Sequence, residues 1–191
     1  ETKVESYRNF MNKLWNASRF ILIKSNPPKY SVLEKEVLTN VKKLSPADKW
    51  ILSGLAKCVK QTTVALEEYR FSDTGLALYD FTWGEFCDWY IEISKKSTNK
   101  YTPAVLQYVI LTLLKLWHPY IPFVTEALWG KFGQKKMLID ESWPTARREF
   151  VLSAEKQEFD YIIEIIKHIR NLRSLHSIEP FILKIVRFQL V

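Results

Sequence analysis

Glycine is scarce in this chain, with 5 in 191 residues. That disfavours glycine-rich phosphate loops and turn-rich β-folds. Cysteine is scarcer: Cys58 and Cys87 stand alone, far apart, with no Cys-x-x-Cys pair. The three histidines, His118, His168 and His176, show no metal-ligand spacing with them. Two reduced, buried thiols in a cytoplasmic protein is the expectation this leaves. No apolar run approaches the roughly 20 residues of a membrane span, so a membrane is not an expected partner. The opening "ETKVESYRNF" is charged and amphipathic, unlike a signal peptide, and it lacks an initiator Met. A piece of a longer protein is expected on that ground. Serine and threonine occur, but there is no nucleophile elbow, P-loop, paired-His metal helix or Cys–His pair. No catalytic residue, metal ligand or cofactor is assigned to this stretch.

What the chain has instead is apolar and basic. The composition is 47% hydrophobic and 14% aromatic, enough for a chain of this size to build a core without staples. The net charge of +7 favours a polyanion, nucleic acid first and an acidic membrane surface second.

Periodicity predicts helices almost throughout. The first covers about residues 3–23, with Tyr7, Phe10, Met11, Leu14, Ala17, Ile21 and Leu22 inward. Pro27 and Pro28 end it, and a short helical piece is expected around 32–44. "LSPADKW" is a strong helix start: Ser45 caps, Pro46 takes the first position and Asp48 sits in the positive first turn. That helix should run to about Tyr69, its stripe formed by Ile51, Leu55, Cys58, Val59, Thr62 and Leu66. "FSDTG" then breaks the pattern, Ser72 or Asp73 capping an aromatic-rich helix to about Ser94. A fourth helix, about 103–117, is apolar nearly all round and should be the buried centre. A short helix begins near Pro122. "KKMLID" is expected as a strand, residues 153–175 as an amphipathic helix, and "FILKIVRFQLV" as a second strand pairing with 136–140.

Three constellations bear on chemistry. "NFMNKLWNASRF" places Asn9, Asn12, Lys13, Asn16, Arg19 and Phe20 on the outer side of the first helix. Asparagine is a poor helix former, so three of them need a reason. Amides and a lysine can hydrogen-bond base edges and a phosphate, and an aromatic can stack a base, as unpaired RNA loops require. A solvated face, or asparagines that tie down the following loop, are the plainer alternatives. Glu85, Asp88 and Glu92 form an acidic row among aromatics, with no histidine or nucleophile beside them. They are expected to pair with basic side chains of neighbouring helices. Lys167, Arg170 and Arg173 recur at i, i+3, i+6 and can contact phosphates, or simply be solvated. His118, between apolar runs, is expected in a core or capping role.

Taken together, "YRNFMNKLWNASRFILI", "YDFTWGEFCDWYIEISK", "LLKLWHPYIPFVTEALWGKF" and "LIDESWP" resemble, in order and spacing, the anticodon-binding region of the valyl-tRNA synthetases. The resemblance covers nearly the whole chain. "NKLWNASRF" and "FCDWYIE" are its most specific parts; "HPYIPFVTEALW" is shared with the class I synthetases for leucine and isoleucine. It implies a mainly α fold, a helical bundle over residues 1–145 with a small helix-plus-strand appendage over 146–191. It implies a monomer that reads the middle and third anticodon bases of valine tRNA, while ATP and valine are handled by a catalytic domain of the same parent chain. That domain's His-Ile-Gly-His and Lys-Met-Ser-Lys-Ser signatures, and the editing insertion, do not occur here. The first-helix residues then become tRNA contacts, with Lys29 and Tyr30 of the following loop, and "FCDWYIE" falls to packing. "HSIEP" departs from the proline-rich turn the family suggests, leaving His176 without a role. An isoleucyl or leucyl counterpart, or a helical protein-interaction module, are the other readings.

Overall fold

A computed structural model describes residues 2–24 and 28–176. The chain divides into two compact units, Glu1–Lys156 and Gln157–Val191, so the first runs past the boundary expected after residue 145. All regular structure among the described residues is helical. In order come α1 (Thr2–Lys24), α2 (Tyr30–Thr39), α3 (Pro46–Glu67), α4 (Phe71–Tyr79), a π-helical segment (Asp80–Tyr90), α5 (Ile91–Ser94), α6 (Thr102–Trp117) and α7 (Pro122–Lys131). The last helix, α8 (Ser153–Leu175), starts in the first unit and continues into the second. No helix among the described residues is long and apolar enough to cross a membrane.

α6 is the axis of the first unit. Every residue from Ala104 to Trp117 is buried, and α1, α2, α3, α5 and α7 all pack against it. Each large apolar side chain so enclosed stabilises by about 1.5–3 kcal/mol. Its polar groups are answered locally: the Thr112 hydroxyl donates to the Tyr108 carbonyl at 2.8 Å, and Lys115 reaches Glu141 at 3.0 Å.

The start of α3 does two jobs. Ser45 and Asp48 form a reciprocal cap, each backbone N–H donating to the other's side chain at 3.1 and 3.2 Å. The same Asp48 carboxylate, fully buried, accepts the Tyr90 hydroxyl at 2.6 Å and the Thr102 hydroxyl at 3.0 Å. One capping residue therefore ties α3 to the π-helical segment and to α6. At its other end α3 stops through Tyr69, which takes a left-handed φ of 58°. The Arg70 N–H closes that turn on the Ala65 carbonyl at 2.7 Å. Neither Ser72 nor Asp73 caps α4; Arg70 occupies that position without a side-chain bond.

The aromatic stretch expected as one α-helix to Ser94 is continuous but widens into π winding over Asp80–Tyr90. It lies so close to α3 that a Cβ on Gly54 would sit 2.5 Å from a Glu85 carboxylate oxygen and 2.9 Å from the Phe81 ring. Only glycine permits that approach.

Two expectations are corrected. Residues 136–140 are not a strand: Leu138–Asp140 form a 3₁₀ turn. Side chains of α7 take the backbone groups a ladder would need, Glu126 accepting the Leu138 N–H at 3.0 Å and the Trp129 indole donating to the Lys136 carbonyl at 2.9 Å. Tyr7, expected inside, is 69% exposed because α1 leans on the bundle only from Phe10 onward. The second expected strand, 181–191, lies outside the described residues, as does Pro27.

Candidate nucleic-acid interface

α1 is held by one side. Phe10, Leu14, Ala17 and Ile21 are buried, and the Phe10 ring lies 4.7 Å from Trp117 and 5.3 Å from Tyr79. Three asparagines cost the helix up to about 2 kcal/mol in propensity. Burying Phe10, Leu14 and Ile21 contributes about 1.5–3 kcal/mol each, so packing carries the helix and leaves its far side free to be chosen for other reasons.

That far side is a ridge of Asn9, Asn12, Asn16 and Arg19, all exposed. Among the described residues the three amides and the Arg19 guanidinium have no hydrogen-bond partner. The asparagines therefore do not tie down the following loop within the described structure. A ring flanks the ridge on each side, and each ring carries a lysine. Phe20, half-buried, has the Lys95 ammonium 5.4 Å from its centre. Trp15, 38% exposed, has Lys131 at 5.6 Å. Cations over ring faces beside open amides suit an unpaired base and its phosphate.

Other residues named from the sequence are placed differently. Lys13 is engaged: it pairs with Asp88 and its ammonium lies 3.7 Å above the Trp83 ring. Tyr30 turns inward, its hydroxyl 3.1 Å from that of Thr112 and its ring stacked on Tyr108 at 5.5 Å. Lys115 lies 4.2 Å over the Tyr30 ring, and burial raises the phenol's pKa above its ordinary value. That packing removes Tyr30 from the open surface. Lys29 is exposed, and its carbonyl starts α2 by accepting the Val32 N–H at 2.9 Å. In the second unit, described by itself, Lys167 and Arg170 are exposed on α8 and Arg173 is half-exposed. The sequence did not mark Trp15, Lys95 or Lys131 as RNA contacts. Trp15 was visible one turn before Arg19; the lysines come from α7 and the segment after α5, and only the fold brings them to α1.

The acidic row is neutralised. Glu85 reaches Lys156 at 3.3 Å, Asp88 reaches Lys13, and Glu92 reaches Lys95 at 2.6 Å within its own turn. The first two pair across helices as expected, the third locally. His118 Nδ1 lies 2.8 Å from the Thr125 hydroxyl, a capping contact at the start of α7.

Comparison with known proteins follows this geometry. Residues 48–182 match the family model described as the anticodon-binding domain of tRNA ligase. The valine–tRNA ligase of Staphylococcus carnosus is 39% identical over 180 residues, which is 90% of this chain and 20% of the relative. That of Bacillus cereus is 38% identical over the same share. The chain thus spans about a fifth of the length of the curated relatives it matches. Among solved structures, a chain from the LeuRS-tRNA-LeuAMS ternary complex of Agrobacterium radiobacter K84 superposes with a TM-score of 0.58. It is 21% identical and covers 78% of this chain and 17% of its own, a likeness of fold alone.

Proposed function

Because the chain belongs to the anticodon-binding domain family of tRNA ligases and is homologous to that region of valine–tRNA ligases, we propose that it grips the anticodon loop of valine tRNA. In this reading the ridge of α1 supplies amides and Arg19 to base edges. Phe20 offers a face on which a base stacks, and Lys95 and Lys131 meet the adjoining phosphates. The parent protein, a cytoplasmic monomer, activates valine with ATP in a catalytic domain outside these residues. The chain's own share is to bind and orient tRNA. Lys29 at the start of α2, and Lys167, Arg170 and Arg173 on α8, are further phosphate contacts.

The observation that carries the reading is the row of exposed amides, unpartnered among the described residues, on a helix whose stability comes from its other side. A titration with the anticodon stem-loop of valine tRNA tests it. Changing one anticodon base is expected to weaken binding by roughly 1–3 kcal/mol, the worth of one stacked base, and Phe20→Ala to do the same. Equal affinity for any stem-loop would reduce the surface to a non-specific cationic one. The alternative of a protein-interaction module expects an exposed apolar patch at Trp15 or Trp129; Trp15 is 38% exposed, and Trp129 gives it no support. The Trp129 side chain is 1% exposed and its indole is bonded to the Lys136 carbonyl.

A further inference from the structure

Two short segments hold lysine and no carboxylate: "NVKKL", residues 40–44, and "KKSTNK", residues 95–100. They are far apart in sequence and adjacent in the fold. The Asn99 side chain donates to the Lys43 carbonyl at 2.9 Å and accepts the Tyr101 N–H at 2.9 Å. Ser97 and Thr102 share a hydrogen bond at 2.8 Å that sets the other end of the loop. The loop is therefore fixed before anything binds. Lys42, Lys43, Lys95, Lys96 and Lys100 are all exposed around it. The carboxylates nearest in sequence are Glu36, one turn before Asn40, and Glu92, which Lys95 already neutralises. The buried Asp48 charge close by is enclosed by Tyr90 and Thr102.

This cationic end is continuous with the ridge of α1. Lys95 lies over Phe20. A pocket of about 160 Å³ opens between Ile21 of α1 and Lys95, Ser97, Thr98 and Asn99 of the loop. Ile21, Pro103 and Leu106 form its apolar floor, and Ser97, Thr98 and Asn99 add hydroxyl and amide groups of the kind that meet a ribose and its phosphate. Lys57 and Lys60, equally exposed, lack this setting. They line the groove between α3 and α4, where Asp73, Asp80 and Glu85 face the same space.

We propose that the lysines of residues 42–43 and 95–100 form a second RNA-binding site, holding the phosphates of the strand that runs on from the bases read by α1. The inference rests on the anticodon reading and extends it to a backbone contact surface assembled from two segments. Backbone contacts position the RNA and carry no sequence information, so this site sets affinity and salt dependence while the ridge sets base preference.

The test compares three charge-matched pairs in the 191-residue chain: Lys42→Ser with Lys43→Ser, Lys96→Ser with Lys100→Ser, and Lys57→Ser with Lys60→Ser. Each is titrated with the valine anticodon stem-loop across a salt series, and again with an anticodon base changed. All six side chains are exposed, and circular dichroism checks the fold. The first two pairs are each expected to lower the log–log salt slope by about 1.4, two contacts at about 0.7 each for single-stranded RNA. Both should weaken matched and altered loops by the same factor, and the third pair should leave the slope unchanged. An unchanged slope in the first two pairs, or an equal drop in all three, overturns the second site. If base preference persists in that case, the anticodon reading stands without it. If the unsubstituted chain shows no base preference, the anticodon reading itself falls. Tighter binding to poly-glutamate than to the stem-loop, lost in the first two pairs, would reassign the lysines to an acidic protein.

Discussion

The outer ridge of α1 and the π-helical segment lie side by side, and they treat their polar groups in opposite ways. Along the π segment Glu85 and Asp88 have cationic partners, Thr82 accepts the Trp117 indole at 2.9 Å, and Tyr90 is sealed against Asp48. On the ridge three asparagines and an arginine find no partner among the described residues. The π segment is the stronger family fingerprint, yet Phe81, Thr82, Phe86, Cys87 and Tyr90 are buried and serve packing. The ridge residues are specified by no partner among the described residues. Their cost in helix propensity is what the proposed RNA contact accounts for.

The comparison breaks most visibly at Asp48. Asp48→Ala would leave the buried Tyr90 and Thr102 hydroxyls without their acceptor and remove the cap of α3. A loss on the order of 3 kcal/mol is expected, since each buried group left unsatisfied costs about 1–3 kcal/mol. Urea denaturation measures it. The midpoint should fall steeply, while whatever fraction stays folded keeps its preference among anticodon loops.

Alkaline pH probes the same sealed region more gently. Burial pushes Cys58 and Cys87 from 9.0 up to about 12, with Glu85 adding to the first; near the second, Lys13 lowers and Asp88 raises. Tyr90 and Tyr108 are raised too, chiefly by burial. These groups stay protonated in the fold while the unfolded chain releases its protons. The unfolded state then binds fewer protons, so stability is full below pH 9.0 and falls as pH rises toward about 12. Each thiol contributes a loss of about 1.4 kcal/mol per pH unit within that window. Replacing Cys87 by Ala should flatten the slope by one thiol's share, and an unchanged slope would show that the thiol is not sealed.

The two regions also differed in how far they could be read from sequence. Helix periods, the Ser45–Asp48 cap and the buried α6 were legible because each depends on residues within a few positions of one another. The π winding was not, since an i, i+5 repeat in an aromatic-rich run looks like a helix that is apolar on several sides. The strand expected over 136–140 failed because its alternation resembled a ladder while Glu126 and Trp129, a helix away, had claimed its backbone. On the ridge proposed as the interface, the exposure of Asn9, Asn12, Asn16 and Arg19 could be read from a single turn-by-turn pattern. Lys95 and Lys131 could not, because only tertiary packing sets them over Phe20 and Trp15. Tyr30 was misplaced for the same reason: nothing local in "PPKY" signals Thr112 or Tyr108.

On the ridge the sign of a substitution should reverse. Asn12→Ala together with Asn16→Ala improves helix propensity and leaves no buried group unpaired. The chain should gain up to about 1.4 kcal/mol of stability, at most about 0.7 for each residue. The same pair should bind the matched anticodon loop more weakly and discriminate less against an altered base. Thermal melts and stem-loop titrations on one preparation read both. A gain in stability with unchanged RNA binding would make the ridge a solvated face after all.

Lys13 is where the two regions meet, and it gives the smallest effect and the finest distinction. It pairs with Asp88 across the boundary, with side chains 26% and 47% exposed. A pair so placed is worth only about 0–1 kcal/mol, so Asp88→Asn should hardly move the denaturation midpoint. Its effect on RNA binding depends on which region owns the lysine. If the ammonium belongs to the ridge, freeing it from Asp88 adds a phosphate contact, and the salt slope steepens by about 0.7. If it belongs to the framework, the Trp83 ring beneath it at 3.7 Å continues to hold it and no phosphate contact is added. The loss of repulsion between Asp88 and an approaching phosphate acts at long range in both cases, raising affinity at low salt. The slope with Lys13→Met in the same background separates the two: it should fall back by that one contact in the first case and not change in the second. The Trp83 ring 3.7 Å beneath the ammonium, with the lysine side chain only 26% exposed, favours the second.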